Sequence, residues 1–178
     1  MTSREFIDSL IPITKNSIVK QSLLVAQICL ESGFGKHSFY NNYLGIKYHG
    51  TGKFAEGKTK EYINGEYVDR VLRFAVYDSI ADNIADYLSI MARDRYEPVR
   101  LAKDYIEATN QIRLCGYATS PKYTANLRTL IEQYKLYELD FTGQPWDFVT
   151  QNFRLKEFYC NDGTAVPLHL LDNVRAVA

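Results

Sequence analysis

The stretch AQICLESGFGKHSFYNNYLGIK, from Ala26 to Lys47, constrains this chain more than any other. It runs an apolar helix into two closely spaced glycines and leaves a carboxylate, Glu31, at the junction. Ile18, Val25 and Ile28, with Leu24 beside them, form a helical stripe, which predicts a helix over Ser17–Ser32. Gly33 supplies its stop. The following residues, from Phe34 to Gly57, are rich in Gly, Asn, Tyr and Lys and read as a long ordered loop; such loops in compact domains usually carry function. A surface glutamate needs no such setting, and a core rarely chooses one.

Around this centre the pattern is mainly helical. SREFIDSLIP predicts a short helix that stops near Pro12. Asn64-Gly65 between two alternating stretches is a strong hairpin signal, with strands expected from about Lys58 to Ile63 and from Glu66 to Phe74. Ser79 and Asp82 form a capping pattern for a helix whose inner face is Ile80, Ile84, Leu88 and Met91. Pro98 suits the first turn of a short helix. Another helix is expected over Asp104–Leu114, stopped at Gly116. The last begins at Ser120-Pro121 and turns Leu127, Leu130, Ile131 and Tyr134 inward. Many helices and one small hairpin make an α+β fold, mainly α, with the hairpin as a separate lobe.

Composition narrows the function. The 178 residues, 46% of them hydrophobic, suit one domain or one domain with an appendage. Lys plus Arg and Asp plus Glu balance at 21 each, which argues against a nucleic-acid partner. Tyrosine, at 14 residues, offers a flat apolar face with a hydroxyl, suited to lining a sugar groove. Cys29, Cys115 and Cys160 have no metal-ligand spacing, and Cys29 reads as a small core hydrophobe. His37, His49 and His169 form no HExxH-like pair, so neither metal nor cofactor is expected. No segment is long and apolar enough to insert into a membrane. MTSREFIDSL lacks the basic start and apolar run of a signal peptide, so export would rely on holin-dependent release, a phage tail or a larger parent polypeptide.

Glu31 then has a chemical reading. A helix C-terminus carries partial negative charge and disfavours a carboxylate ion. Neighbouring aromatics such as Phe34 and Tyr40 would reduce its hydration. Both effects raise a carboxyl pKa, which is what a general acid needs to hold its proton near neutral pH. Cleavage of a glycosidic bond requires such a donor for the leaving oxygen.

The chain resembles the glucosaminidase family, glycoside hydrolase family 73. The resemblance is carried by Ala26-Gln27, Leu30-Glu31-Ser32-Gly33, Phe34, Gly35, Asn41-Asn42 and Gly45-Ile46-Lys47. It continues through TKEYINGEYV, FAVYDSIADNIADY and CGYATSPKY, and covers about residues 1 to 140 in order. It implies a lysozyme-like domain over 1–140 whose hairpin lobe flanks a glycan cleft. The implied activity is peptidoglycan hydrolysis at the β-1,4 bond after N-acetylglucosamine. By the same resemblance Glu31 is the general acid, Glu61 the second acidic residue on the hairpin, and Tyr117 a tyrosine of the catalytic cleft. Phe34, Asn42, Lys47, Tyr77 and Tyr123 are implied as substrate-binding. Glu66, across the turn, could be mistaken for Glu61. Phe34 stands where tryptophan is common, and Ser120 stands for an aspartate whose helix-capping role serine can fill.

Inversion, with Glu61 activating water, and assistance by the sugar's own acetamido group both fit this set. Muramidase or lytic transglycosylase action on the same polymer, and a non-catalytic glycan-binding module, are the alternatives. Residues 141–178 read as a linker and appendix with one helix from about Pro167 to Val177. FRLKEFYCNDGTAVPLHLLDNVRAVA resembles the opening of zinc-dependent D-alanyl-D-alanine carboxypeptidase domains. No zinc-ligand set follows, so no metal or peptidase activity is expected, and His169 reads as a surface residue.

Overall fold

Thr2 starts the first helix, α1 (Ser3–Thr14), through a reciprocal capping box with Glu5. The computed structural model describes residues 1–141; the predicted appendix helix, Cys160 and His169 lie outside the described residues. Pro12 sits inside α1 instead of ending it. A proline near a helix end forfeits one backbone bond, and the chain completes its last turn to Thr14, whose hydroxyl bonds the Leu10 carbonyl at 2.9 Å.

The second helix, α2 (Gln21–Ser32), is the axis of the domain. It starts later than predicted: Ile18 lies outside it and is exposed, while Val19 is buried. Every residue from Ser22 to Cys29 is buried, the mark of a helix enclosed on all sides rather than one with a single apolar stripe. Leu23, Leu24, Val25 and Ile28 are fully enclosed, each contributing about 1.5–3 kcal/mol by leaving water. Burial pushes the Cys29 thiol up to about 12, so it is an inert core group. Lys20 gives the helix no side-chain cap. Asp140 supplies one from the far end of the domain, accepting from Ser22 N at 2.9 Å and Ser22 Oγ at 2.6 Å. Gly33 ends α2 in the left-handed conformation, and Phe34 N returns to the Cys29 carbonyl at 2.9 Å.

The hairpin is longer than its sequence pattern indicated. Strands β1 (Lys53–Ile63) and β2 (Glu66–Val76) pair antiparallel in continuous register, with Ile63 opposite Glu66. Asn64 and Gly65 both have positive φ (50° and 92°), as a type I′ turn requires. The first five residues of β1, Lys53 to Gly57, fall in the Gly-, Asn-, Tyr- and Lys-rich stretch that composition marks as a loop. Side-chain space explains that glycine: a Cβ there would stand 3.1 Å from the Phe74 ring.

Ser79 caps α3 (Ile80–Met91), accepting from Asp82 N. Of its predicted inner face, Ile84 and Met91 are buried and Ile80 and Leu88 half-buried; Asn83 and Tyr87 are fully enclosed as well. Pro98 lies in the first turn of α4 (Glu97–Arg100), and Asp104 caps α5 (Tyr105–Leu114). The last α-helix among the described residues, α6 (Tyr123–Gln133), begins three residues after Ser120, so Ser120 is not its cap. Lys122 holds the cap position, and the Ser120 carbonyl accepts from Tyr123 N. The inward face of α6 is Tyr123, Leu127 and Ile131, with Leu130 and Tyr134 half-buried. The architecture is α+β and mainly α, as the sequence indicated.

Candidate active site

Gly33 and Phe34, both at positive φ (56° and 59°), turn the chain sharply out of α2 and leave Glu31 at the floor of a cleft of about 870 Å³. Glu31 is exposed as a whole residue, and it is the cleft that it faces. Its carboxyl is nevertheless crowded by protein, and that burial is the larger influence: it pushes the pKa above the ordinary carboxylate range. A hydrogen bond from the Tyr123 hydroxyl opposes the rise without cancelling it. The site thus offers a carboxyl that keeps its proton to higher pH than a solvated one.

The loop after α2 forms the next part of the wall. Asn42 is buried, and its amide is fully used: Nδ2 donates to the Ile46 and Ala75 carbonyls (2.8 and 2.9 Å) and Oδ1 accepts from Ile46 N at 2.9 Å. Asn42 therefore lines the cleft as a staple of its own loop and of β2, with no amide group directed at a ligand. Tyr117, in the loop between α5 and α6, donates from its hydroxyl to the Leu44 carbonyl at 2.9 Å. Between these anchors Gly45 lies over Glu31, at φ 62°.

The hairpin supplies the other wall. Strand alternation turns Gly57, Thr59 and Glu61 to the half-buried side of β1, and all three line the cleft. Glu61 Oε1 stands 3.0 Å from Lys47 Nζ, and both residues line the cleft. Glu66 is exposed beside the turn and is not part of the lining. The Tyr67 hydroxyl lies 3.3 Å from Ser120 Oγ, a residue of the cleft lining, which joins the hairpin to the loop before α6.

The structure thus brings Glu31, Glu61, Tyr117, Tyr123, Asn42 and Lys47 to one cleft. Two residues expected to contact substrate, Phe34 and Tyr77, are not among those lining this cleft. Phe34 is not in the lining, because the left-handed turn directs its ring to Tyr134, with centroids 5.5 Å apart. Tyr77 is also absent from the lining; its hydroxyl donates to Asp86 on α3 at 2.6 Å. Sequence reasoning missed His37, Phe39, His49, Arg93, Tyr96 and Asn126, all of which line the cleft. His37, Phe39 and His49 sit in the loop that composition had marked as functional. The other three come from helices and turns whose local pattern says nothing about the cleft. Among the described residues no cluster of His, Cys, Asp and Glu is suited to hold a metal ion, and no helix is long and apolar enough to cross a membrane.

A family model described as "Glucosaminidase: Mannosyl-glycoprotein endo-beta-N-acetylglucosaminidase" matches residues 8–136. Peptidoglycan hydrolase FlgJ of Escherichia coli (strain K12) is 33% identical over 132 residues, covering 68% of this chain and 42% of that protein. "Probable N-acetylmuramidase" of Lactococcus lactis subsp. cremoris is 31% identical over 156 residues, covering 78% of this chain and 35% of that protein. The chain therefore spans less than half the length of these two relatives. The crystal structure of a peptidoglycan hydrolase mutant from Sphingomonas sp. A1 superposes with a TM-score of 0.70 at 31% identity, covering 76% of this chain and 97% of that one. The family match takes in α2, the hairpin and the helices behind them together, and by these matches the chain belongs to the glucosaminidase family.

Proposed function

We propose that this domain is a peptidoglycan glycosidase that hydrolyses the β-1,4 bond after N-acetylglucosamine in the bacterial cell wall, with Glu31 as general acid. The observation that carries the reading is the Glu31 carboxyl facing an open cleft of about 870 Å³ whose opposite wall carries Glu61. Glu31 gives its proton to the glycosidic oxygen as the C1–O bond breaks. Water adds to C1 from the opposite face, and its proton passes to Glu61, which the Lys47 ion pair holds on the hairpin wall. Tyr117 supports the site through the Leu44 carbonyl, and Lys47 and Asn42 shape the wall that a sugar would meet. The family description and the name of the Escherichia coli relative support the bond type and the polymer.

A muramidase reading is favoured by the name of the Lactococcus relative. Mass spectrometry of digested cell walls separates the two. Reducing-end N-acetylglucosamine is expected; reducing-end N-acetylmuramic acid would transfer the assignment to muramidase, and anhydro products to a transglycosylase. In the same assay, Glu31→Gln is expected to abolish clearing of purified walls while leaving the fold intact, and unchanged clearing would refute the role given to Glu31.

A further inference from the structure

A line of hydrogen bonds runs from the core to Tyr123 on the cleft wall. Tyr87, fully buried on α3, donates from its hydroxyl to Gln27 Oε1 at 2.6 Å. Gln27, fully buried and one turn before Glu31 on α2, donates from Nε2 to the Tyr123 hydroxyl oxygen at 3.0 Å. Tyr123 and Glu31 line the same cleft, and the Tyr123 hydroxyl is the neighbour that acts on the Glu31 carboxyl. Neither Gln27 nor Tyr87 lines the cleft, so neither is placed to touch a substrate there.

The chemistry of the groups sets the direction of the line. An amide has one acceptor end and one donor end, and a phenol has a single proton. Tyr87 occupies the Gln27 acceptor, so Gln27 presents an N–H to Tyr123. Tyr123 receives there, and its one proton is left for Glu31. An apolar side chain of similar length could fill the same space, and burying an amide is costly unless every group is paired, as these are.

We infer that Gln27 is a positioning residue: with Tyr87 it makes the Tyr123 hydroxyl an obligatory donor to one oxygen of Glu31, which confines the acid's own proton to the other oxygen. A protonated carboxyl could otherwise carry its hydrogen on either oxygen, one of them facing the protein. The inference rests on the reading of Glu31 as general acid. The titratable groups in electrostatic contact with Glu31 are Tyr117, from the loop before α6, and Tyr123, from α6. On the remaining walls Lys47 and Glu61 hold each other and His49 is held by Asp86, with His37, Arg93, Tyr96, Lys58 and Lys60 completing the ionisable lining.

The test compares Gln27→Met, Tyr123→Phe and Glu31→Gln in the full chain. Turnover of a soluble peptidoglycan fragment is followed across pH, and the Glu31 carboxyl is titrated by carbon-13 NMR in glutamate-labelled protein. For Gln27→Met and Tyr123→Phe, kcat is expected to fall at least tenfold with KM within twofold, and the Glu31 titration to move to higher pH because a donated bond is lost. A Glu31 titration and kcat that match the wild type in both variants overturn the proposal, since a purely structural role would leave that titration in place. If Gln27→Met does not fold, Tyr123→Phe, which lacks one oxygen, decides by the same two readings. Wild-type turnover in Glu31→Gln would instead overturn the general-acid reading itself, and this inference with it.

Discussion

Gly45 closes directly on Glu31: a Cβ at position 45 would stand 3.7 Å from Glu31 Oε2, with the backbone at φ 62°. The absence of a side chain lets the loop cross the carboxyl without filling the space above it. Gly45→Ala adds left-handed strain, on the order of 1–2 kcal/mol, and places a methyl group against the acid. We expect a lower melting temperature and a kcat reduced about tenfold, the scale of one such energy step. Steady-state kinetics beside a thermal melt would check this; a variant with wild-type kcat would show that the close approach has no catalytic consequence.

Glu31→Gln has an expected signature in stability as well as activity. Loss of a general acid lowers turnover by about 10²–10⁴-fold. Burial raises the Glu31 pKa in the folded protein, so the native state keeps a proton that the unfolded chain releases. The stability linked to that proton is fully present below the unfolded pKa and is lost as pH rises through the folded one. Glutamine does not ionise. Glu31→Gln should therefore melt above the wild type at pH 7 to 8, with the difference disappearing below about pH 4, the ordinary range for glutamate. Thermal unfolding as a function of pH measures it, and a difference independent of pH would contradict the burial argument.

Tyr117→Phe keeps the ring and removes the bond to the Leu44 carbonyl. The expected loss is about 1 kcal/mol of stability, with kcat reduced through a loosened loop but by less than in Glu31→Gln. Urea unfolding and kinetics of the two variants side by side decide the matter. A fall as large as that of Glu31→Gln would make the Tyr117 hydroxyl a direct participant in the chemistry.

Glu61 is expected to take a proton from the attacking water. Products should then form with inverted anomeric configuration, visible by proton NMR in the first minutes of reaction. Glu61→Gln should lower kcat by about 10²-fold or more, within the range for general bases. Retained configuration, with Glu61→Gln nearly as active as the wild type, would point to attack by the acetamido group of the sugar.

Asp140→Ala tests the remote cap on α2. It leaves the Ser22 N–H and hydroxyl without the partner they have at 2.9 and 2.6 Å. The expected cost is about 1–3 kcal/mol, read by chemical denaturation, with turnover per folded molecule unchanged. A cost near zero would mean that water replaces the carboxylate at this helix end.

The sequence alone determined the features that depend on a few adjacent residues. Gly33 stops α2, Ser79 caps α3, Pro98 opens α4 and Asn64-Gly65 turns the hairpin, because a backbone dihedral or a local hydrogen bond settles each one. The motif around Glu31 also placed that carboxylate, since its position at a helix end before a glycine turn is written within four residues. Only the tertiary structure decided which side chains reach the cleft. Phe34 and Tyr77 carry the same ring chemistry as residues that do, yet one packs on Tyr134 and the other bonds Asp86. The line from Tyr87 through Gln27 to Tyr123 spans separations of 60 and 96 residues, and the Ser22–Asp140 cap spans 118. Periodicity and capping act over a turn or two of chain, whereas these contacts exist only once the helices have packed around α2.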